Sequence, residues 1–299
     1  MLNATRAQLY RMLHGSLLWV CLAIIVLPIA ASAVAMAVIE GNEMLAGVLG
    51  VSGEELQLAS SEAVHAGTST SSDFARLIGS VDSPETPFAL YGATFVNGSF
   101  IAMVAAGFAG VFVAQDMRSG KQACYAKNLV QARGGRLAYA ASLMVASVVA
   151  GAAFVIAAIA ATVLFFAAAG FAVVPPSLAE FVLWAAQVWA IVVAYQLIAA
   201  LAALATRSEV VGVIAGVLLG GFTVESALFL AIGALASQLG PAAPLALAAD
   251  AFADGSLMAR LSSLGHGALC PPELFATAVV VAAVAAALCL AVARRRDLS

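Results

Sequence analysis

Charge is what this sequence has least of. Only 10% of its 299 residues are Asp, Glu, Lys or Arg, whereas a water-facing surface carries about a quarter to a third. That shortfall excludes an ordinary soluble globular chain. Histidine is scarce as well: His14, His65 and His266 lie in separate segments, and none belongs to a metal-ligand spacing such as HExxH. The pair Glu54-Glu55 has no partnering histidine in an apolar run, which argues against an intramembrane protease. A GxxxxGK[ST] phosphate loop is missing, so the chain does not hydrolyse a nucleotide by that route. The four cysteines, Cys21, Cys124, Cys270 and Cys289, fall two in apolar runs and one in each kind of polar gap, which is no disulfide framework. No catalytic constellation, metal site or cofactor site emerges, and the chain is not read as an enzyme.

What fills the sequence is apolar. Hydrophobic residues make up 64% of it, gathered into long runs that are free of charge apart from Glu225 in one of them. Crossing roughly 30 Å of hydrocarbon takes about 20 helical residues, and six runs suffice: 17–39, 94–114, 137–173, 181–205, 210–236 and 274–293. The expected fold is all-α, a polytopic membrane protein of six transmembrane helices. The stretch 137–179 carries no charge over 43 residues, yet it has no turn cluster near its middle, so one long tilted helix is expected there. The first run also fits a secretory signal. Arg6 and Arg11 precede it, Pro28 lies within it, and Ala31-Ser32-Ala33 and Ala35-Met36-Ala37 offer small-residue cleavage sites. Its continuation to Ile39 favours a retained span.

The basic residues collect in alternate gaps. With the N-terminus in the cytosol, Arg6, Arg11, Arg118, Lys121, Lys127, Arg133, Arg136, Arg207 and Arg294 to Arg296 all lie inside, and only Arg76 and Arg260 lie outside. Eleven against two is a strong positive-inside bias and puts both termini in the cytosol. Residues 1–16 read as an amphipathic helix on the inner interface, with Leu2, Leu9, Met12 and Leu13 on one face and Arg6, Gln8 and Arg11 on the other. A flexible basic tail is the plainer reading. The outer segments are 40–93 and 237–273, and a short tail, 294–299, ends the chain inside. Residues 40–97 hold eight acidic residues and one basic residue, with scattered apolar positions that suit one or two short helices rather than an independent domain. In the second segment a helix is expected over 245–253. Neither segment has the apolar content for a core of its own.

Three features stand above this background. The first is the inner loop 115–136, which concentrates five of the thirteen basic residues around Asp116. A helix fits 121–132, stopped by Gly134-Gly135. Such a loop suits docking of a soluble partner, and a merely solvated loop is the alternative.

The order of an N-terminal helix, a first span, a long outer segment, a second span ending in Asp116-Met117-Arg118-Ser119-Gly120, a basic loop and a third span resembles the permease subunits of ABC-2 type ATP-binding cassette transporters. It is similar to those beside bacterial antimicrobial-peptide immunity systems. In that family an Asp/Glu-x-Arg-x-Gly after the second span leads to Lys-Asn and later an Arg, here Asp116, Arg118, Gly120, Lys127, Asn128 and Arg136. The resemblance implies that this loop, with Lys121 and Arg133, couples to separate P-loop ATPase subunits. ATP and Mg would be bound there, and no cofactor by this chain. It further implies a second permease, identical or homologous, and a place in the cytoplasmic membrane. Lipid is a partner and nucleic acid is not.

The second feature is Gly212, Gly216 and Gly220, spaced by four on the fifth span as in GxxxG helix pairs. Packing within the subunit and a permease dimer interface are both open. The third is Glu225, about 22 Å along the helix from Val210 at 1.5 Å per residue. A carboxylate near the bilayer centre costs roughly 2.5–3.5 kcal/mol, so it must face protein or water, and it is a candidate for the translocation path. The alternative is that the span breaks after Gly220-Gly221 and continues as an outer re-entrant segment. The expected function is export of an amphiphilic peptide or small lipophilic compound. The competing reading is a stand-alone secondary transporter or channel-like protein that uses an ion gradient through Glu225; it lacks two matching halves and a second buried acid.

Overall fold

A computed structural model describes residues 2–39, 88–96, 99–115, 135–169, 177–239, 256–265 and 269–295. Every regular element among them is helical. The helices are α1 (Leu2–His14), α2 (Ser16–Ile39), α3 (Phe100–Gln115), α4 (Gly135–Ala168), α5 (Leu178–Thr206), α6 (Glu209–Gly220), α7 (Thr223–Leu239), α8 (Leu257–Gly265) and α9 (Pro272–Arg295). Two helical turns, Ala89–Tyr91 and Gly92–Val96, lead toward α3. Five helices are long and apolar enough to cross a membrane, and a sixth span results if α6 and α7, bent by 57° at their junction, are taken together. The described part of the chain is therefore all-helical, and the protein is a multi-pass one embedded in a membrane. Helices are the natural outcome, because in hydrocarbon every backbone N–H and C=O must find its partner within the chain.

The charge-free stretch after residue 136 forms one helix of 34 residues, about 51 Å long at 1.5 Å per residue. The fifth span is two helices. Helix α5 is the hub, packed against α3, α9, α6 and α4, and it buries residues on all sides, among them Trp184, Gln187, Tyr195 and Gln196. Helices α2 and α9 lie at the periphery and leave Trp19, Leu27, Val280 and Val284 exposed. In water that array would be an aggregation surface; in lipid it is the natural boundary.

Helices α3 and α6 approach until their backbones touch. A β-carbon on Gly212 would lie 3.0 Å from Gly110 Cα, one on Gly216 would lie 2.7 Å from the Gly107 nitrogen, and one on Gly220 would lie 2.7 Å from Met103 Cα. Three glycines one turn apart on α6 thus meet Gly110, Gly107 and Met103, in descending order along an antiparallel α3. The glycine face is filled by the chain's own second span. Farther along the bundle, the Gln196 side chain lies over Gly151, where a β-carbon would come within 2.5 Å of its Oε1. Gln196 is fully buried, and its amide atoms have no hydrogen-bond partner among the described residues.

Helix α1 departs from the face expected of it. Ala4, Gln8 and Met12 are buried while Leu13 is half exposed, and α1 packs on α4. Arg11, expected on the polar face, turns to α3 instead: its Nη2 donates to the Phe112 carbonyl oxygen at 3.0 Å, and its guanidinium lies 4.1 Å from the Phe112 ring centroid. The last carbonyls of a helix have no intrahelical donor and attract a cation. That pull, together with the aromatic face, outweighs the simple division into polar and apolar sides.

Candidate functional site

The site centres on the bend of the fifth span. The Gly221 N–H closes on the Val217 carbonyl oxygen at 2.8 Å and ends α6. Phe222 then takes a φ of 62°, a left-handed conformation that costs an ordinary side chain about 1–2 kcal/mol. Its ring lies 6.5 Å from that of Tyr195, centroid to centroid, so the bend is braced by α5. Helix α7 starts at Thr223 and carries Glu225 in its first turn, where a carboxylate complements the helix dipole. Gly220 lies beside Met103, near the start of α3, which places the bend toward the α8 end of the bundle.

Glu225 is committed to two partners. Its Oε1 accepts the Tyr195 hydroxyl at 2.7 Å, and its Oε2 accepts the Met258 backbone N–H at 2.8 Å. Met258 is the second residue of α8, so the carboxylate caps that helix from outside. The next donor, Ala259 N–H, goes to Ser256 Oγ at 3.1 Å. Two N-terminal donors of a nine-residue helix are thus satisfied by side chains. The far end of α8 is held as well: the Trp184 indole donates to the Leu264 carbonyl oxygen at 3.1 Å. Gly92 faces the Gly265 backbone so closely that a β-carbon has no room.

Residues 269–271, just before α9, are not helical. There the Gln187 amide donates to the Cys270 carbonyl oxygen at 2.7 Å and accepts the Cys270 N–H at 3.0 Å. One side chain supplies both bonds that a ladder would otherwise give, which is how non-helical backbone is tolerated beside a span. The Cys270 thiol donates to the Arg260 carbonyl oxygen at 3.7 Å. Burial pushes that thiol up, with Arg260 opposing the shift. Trp184 also stacks on Phe88, with centroids 5.6 Å apart, and meets the edge of Phe95 at 6.0 Å.

The arrangement is an anchor. Glu225, Tyr195, Trp184 and Gln187 tie α7, α5, α8 and the segment before α9 into one unit. Of the residues singled out by sequence, Gly212, Gly216 and Gly220 come together with α3, and Glu225 lies past the end of that seam. Asp116, Arg118, Gly120, Lys121, Lys127, Asn128 and Arg133 lie outside the described residues, as does 245–253. Arg136 falls in the first turn of α4. The described helices bracket this loop: α3 ends at Gln115 and α4 begins at Gly135.

Sequence reasoning missed the partners of Glu225 and the clamp on α8. The signal was present in the fourth span, where Trp184, Gln187 and Tyr195 recur at i, i+3 and i+11, one side of a 3.6-residue helix. Comparison of the chain with protein-family models, curated proteins and solved structures finds no match.

Proposed function

We propose that this chain is the transmembrane permease subunit of an ATP-driven ABC exporter in the bacterial cytoplasmic membrane, working with separate P-loop ATPase subunits and a second permease. The observation that carries this reading is the basic loop 115–136, with Asp116, Arg118 and Gly120 leading to Lys127-Asn128 and Arg136 between two spans. In this reading both termini are cytosolic and α1 lies along the inner interface. The contact of Arg11 with Phe112 favours that placement, because it holds α1 against the end of α3 from which the loop departs. Closure of the ATPases would be passed through the loop to α3 and α4, and through the α3–α6 seam to the bend at Gly221. The cargo would be an amphiphilic peptide or a small lipophilic compound, since the spans offer very few polar groups.

Charge reversal at Arg118 or Lys127 tests the reading in vesicles that also hold the ATPase. ATP hydrolysis should continue while transport is lost, with the folded permease still present by size-exclusion chromatography. Unchanged transport overturns the assignment. The stand-alone carrier would need Glu225 as an exchanging acid, and its bonds to Tyr195 and Met258 suit an anchor better. A mild-detergent pull-down from the native cell separates the two readings: a stoichiometric P-loop ATPase belongs only to the first.

A further inference from the structure

The polar side chains around α8 are nearly all matched. Glu225, Ser256, Trp184, Gln187 and Cys270 each have the partners described above. Arg260, on the same helix, does not fit the pattern. It is 3% exposed, and neither its Nε nor its Nη1 has a hydrogen-bond partner among the described residues. A buried lysine in this position could shed its charge, but arginine stays protonated even though burial lowers its proton affinity. A buried, unpaired cation is among the most destabilising features a fold can carry unless an anion meets it. Glu225 is not that anion: its carboxylate bonds Tyr195 and Met258, and it is not a partner of Arg260 Nε or Nη1.

We propose that Arg260 is the receptor for a phosphate oxyanion at the α8 end of the bundle. The guanidinium fork of donors matches phosphate. The location also fits, since α8 packs on the Gly92–Val96 turn and the bend of the fifth span lies near the same end, so Arg260 stands toward the end of the spans, where lipid headgroups begin. In the orientation proposed above, this is the outer face, where Arg260 is one of only two basic residues. The site rests on the membrane-embedded fold and not on coupling to an ATPase, so either proposal can fail alone. Two sources supply the same chemistry, the phosphodiester of a lipid and free phosphate.

The test compares the full-length chain with Arg260→Met and Arg260→Lys in maltoside detergent. Thermal unfolding is followed with added dioleoylphosphatidylglycerol, with inorganic phosphate, and with chloride at matched ionic strength; native mass spectrometry counts retained lipid. The wild-type midpoint should rise by about 5 °C on saturation, Arg260→Lys should keep part of that rise, and Arg260→Met should lose it. Without phosphate, Arg260→Met should be at least as stable as wild type, because a buried charge without a partner has been removed. A rise with lipid alone, with retained lipid, assigns the site to a headgroup; a rise with inorganic phosphate assigns it to the free anion. An equal rise in wild type and Arg260→Met overturns the proposal. So does no rise in wild type, which would mean that the guanidinium is neutralised from within the chain.

Discussion

Along α3 and α6 the contact is backbone on backbone; around α8 it is side chain on backbone. The seam uses Gly212, Gly216 and Gly220 to remove side chains altogether. The clamp uses Glu225, Trp184 and Gln187 to donate or accept at the exposed ends of a short helix and an irregular segment. Both solve one problem. Lipid gives helices no hydrophobic reason to associate, so association must come from close packing or from polar groups with nowhere else to go. Two complete helices with satisfied backbones need only closeness. A nine-residue helix with orphan donors and acceptors needs bonds.

The comparison breaks most readily at the seam. Gly216→Leu places a branched side chain where even a β-carbon is 2.7 Å from the Ala106 carbonyl carbon, and it should abolish the monodisperse folded peak in size-exclusion chromatography. Gly216→Ala should cost about 1–3 kcal/mol, the usual range for overpacking a tight contact, read as a lowered unfolding midpoint. At the clamp, a double-mutant cycle of Glu225→Gln and Tyr195→Phe should give a coupling of about 1.5–3 kcal/mol, as for a hydrogen bond to a charged group; additive effects would show that the bond contributes nothing. Trp184→Phe removes the donor to Leu264, for about 0.5–1.5 kcal/mol, and the volume lost from a fully buried indole adds a cavity cost. The smallest effect is expected at Gly107→Ala. A β-carbon there meets nothing within 4 Å, so the change should be neutral or stabilising by up to about 1 kcal/mol. Equal costs at Gly107 and Gly216 would refute the seam.

Some of this was readable from residue order. The glycine spacing marked a close contact, and Gly220-Gly221 marked a candidate break. It did not say which helix fills the glycine face, because Gly110 and Gly212 are brought together by folding over a long separation. Nor did it reveal that Arg11 leaves its expected face for Phe112. Helical periodicity scores a side chain against its own helix, whereas Arg11 answers to the end of another. Glu225 was recognisable as costly to bury, but its partners Tyr195 and Met258 lie on other elements and offer no local pattern.

The sequence by itself determined the solvent. Long charge-free runs must be helices in hydrocarbon, and their number and length follow from bilayer thickness and the 1.5 Å rise per residue. Those are local properties, legible one window at a time. Only the tertiary structure decided the matching: the glycines of α6 to α3, the carboxylate of Glu225 to the N-terminus of α8, the Gln187 amide to Cys270, and Arg260 left buried with Nε and Nη1 unmet among the described residues. Pairing depends on where helices cross and how far side chains reach, and no single helix carries that information.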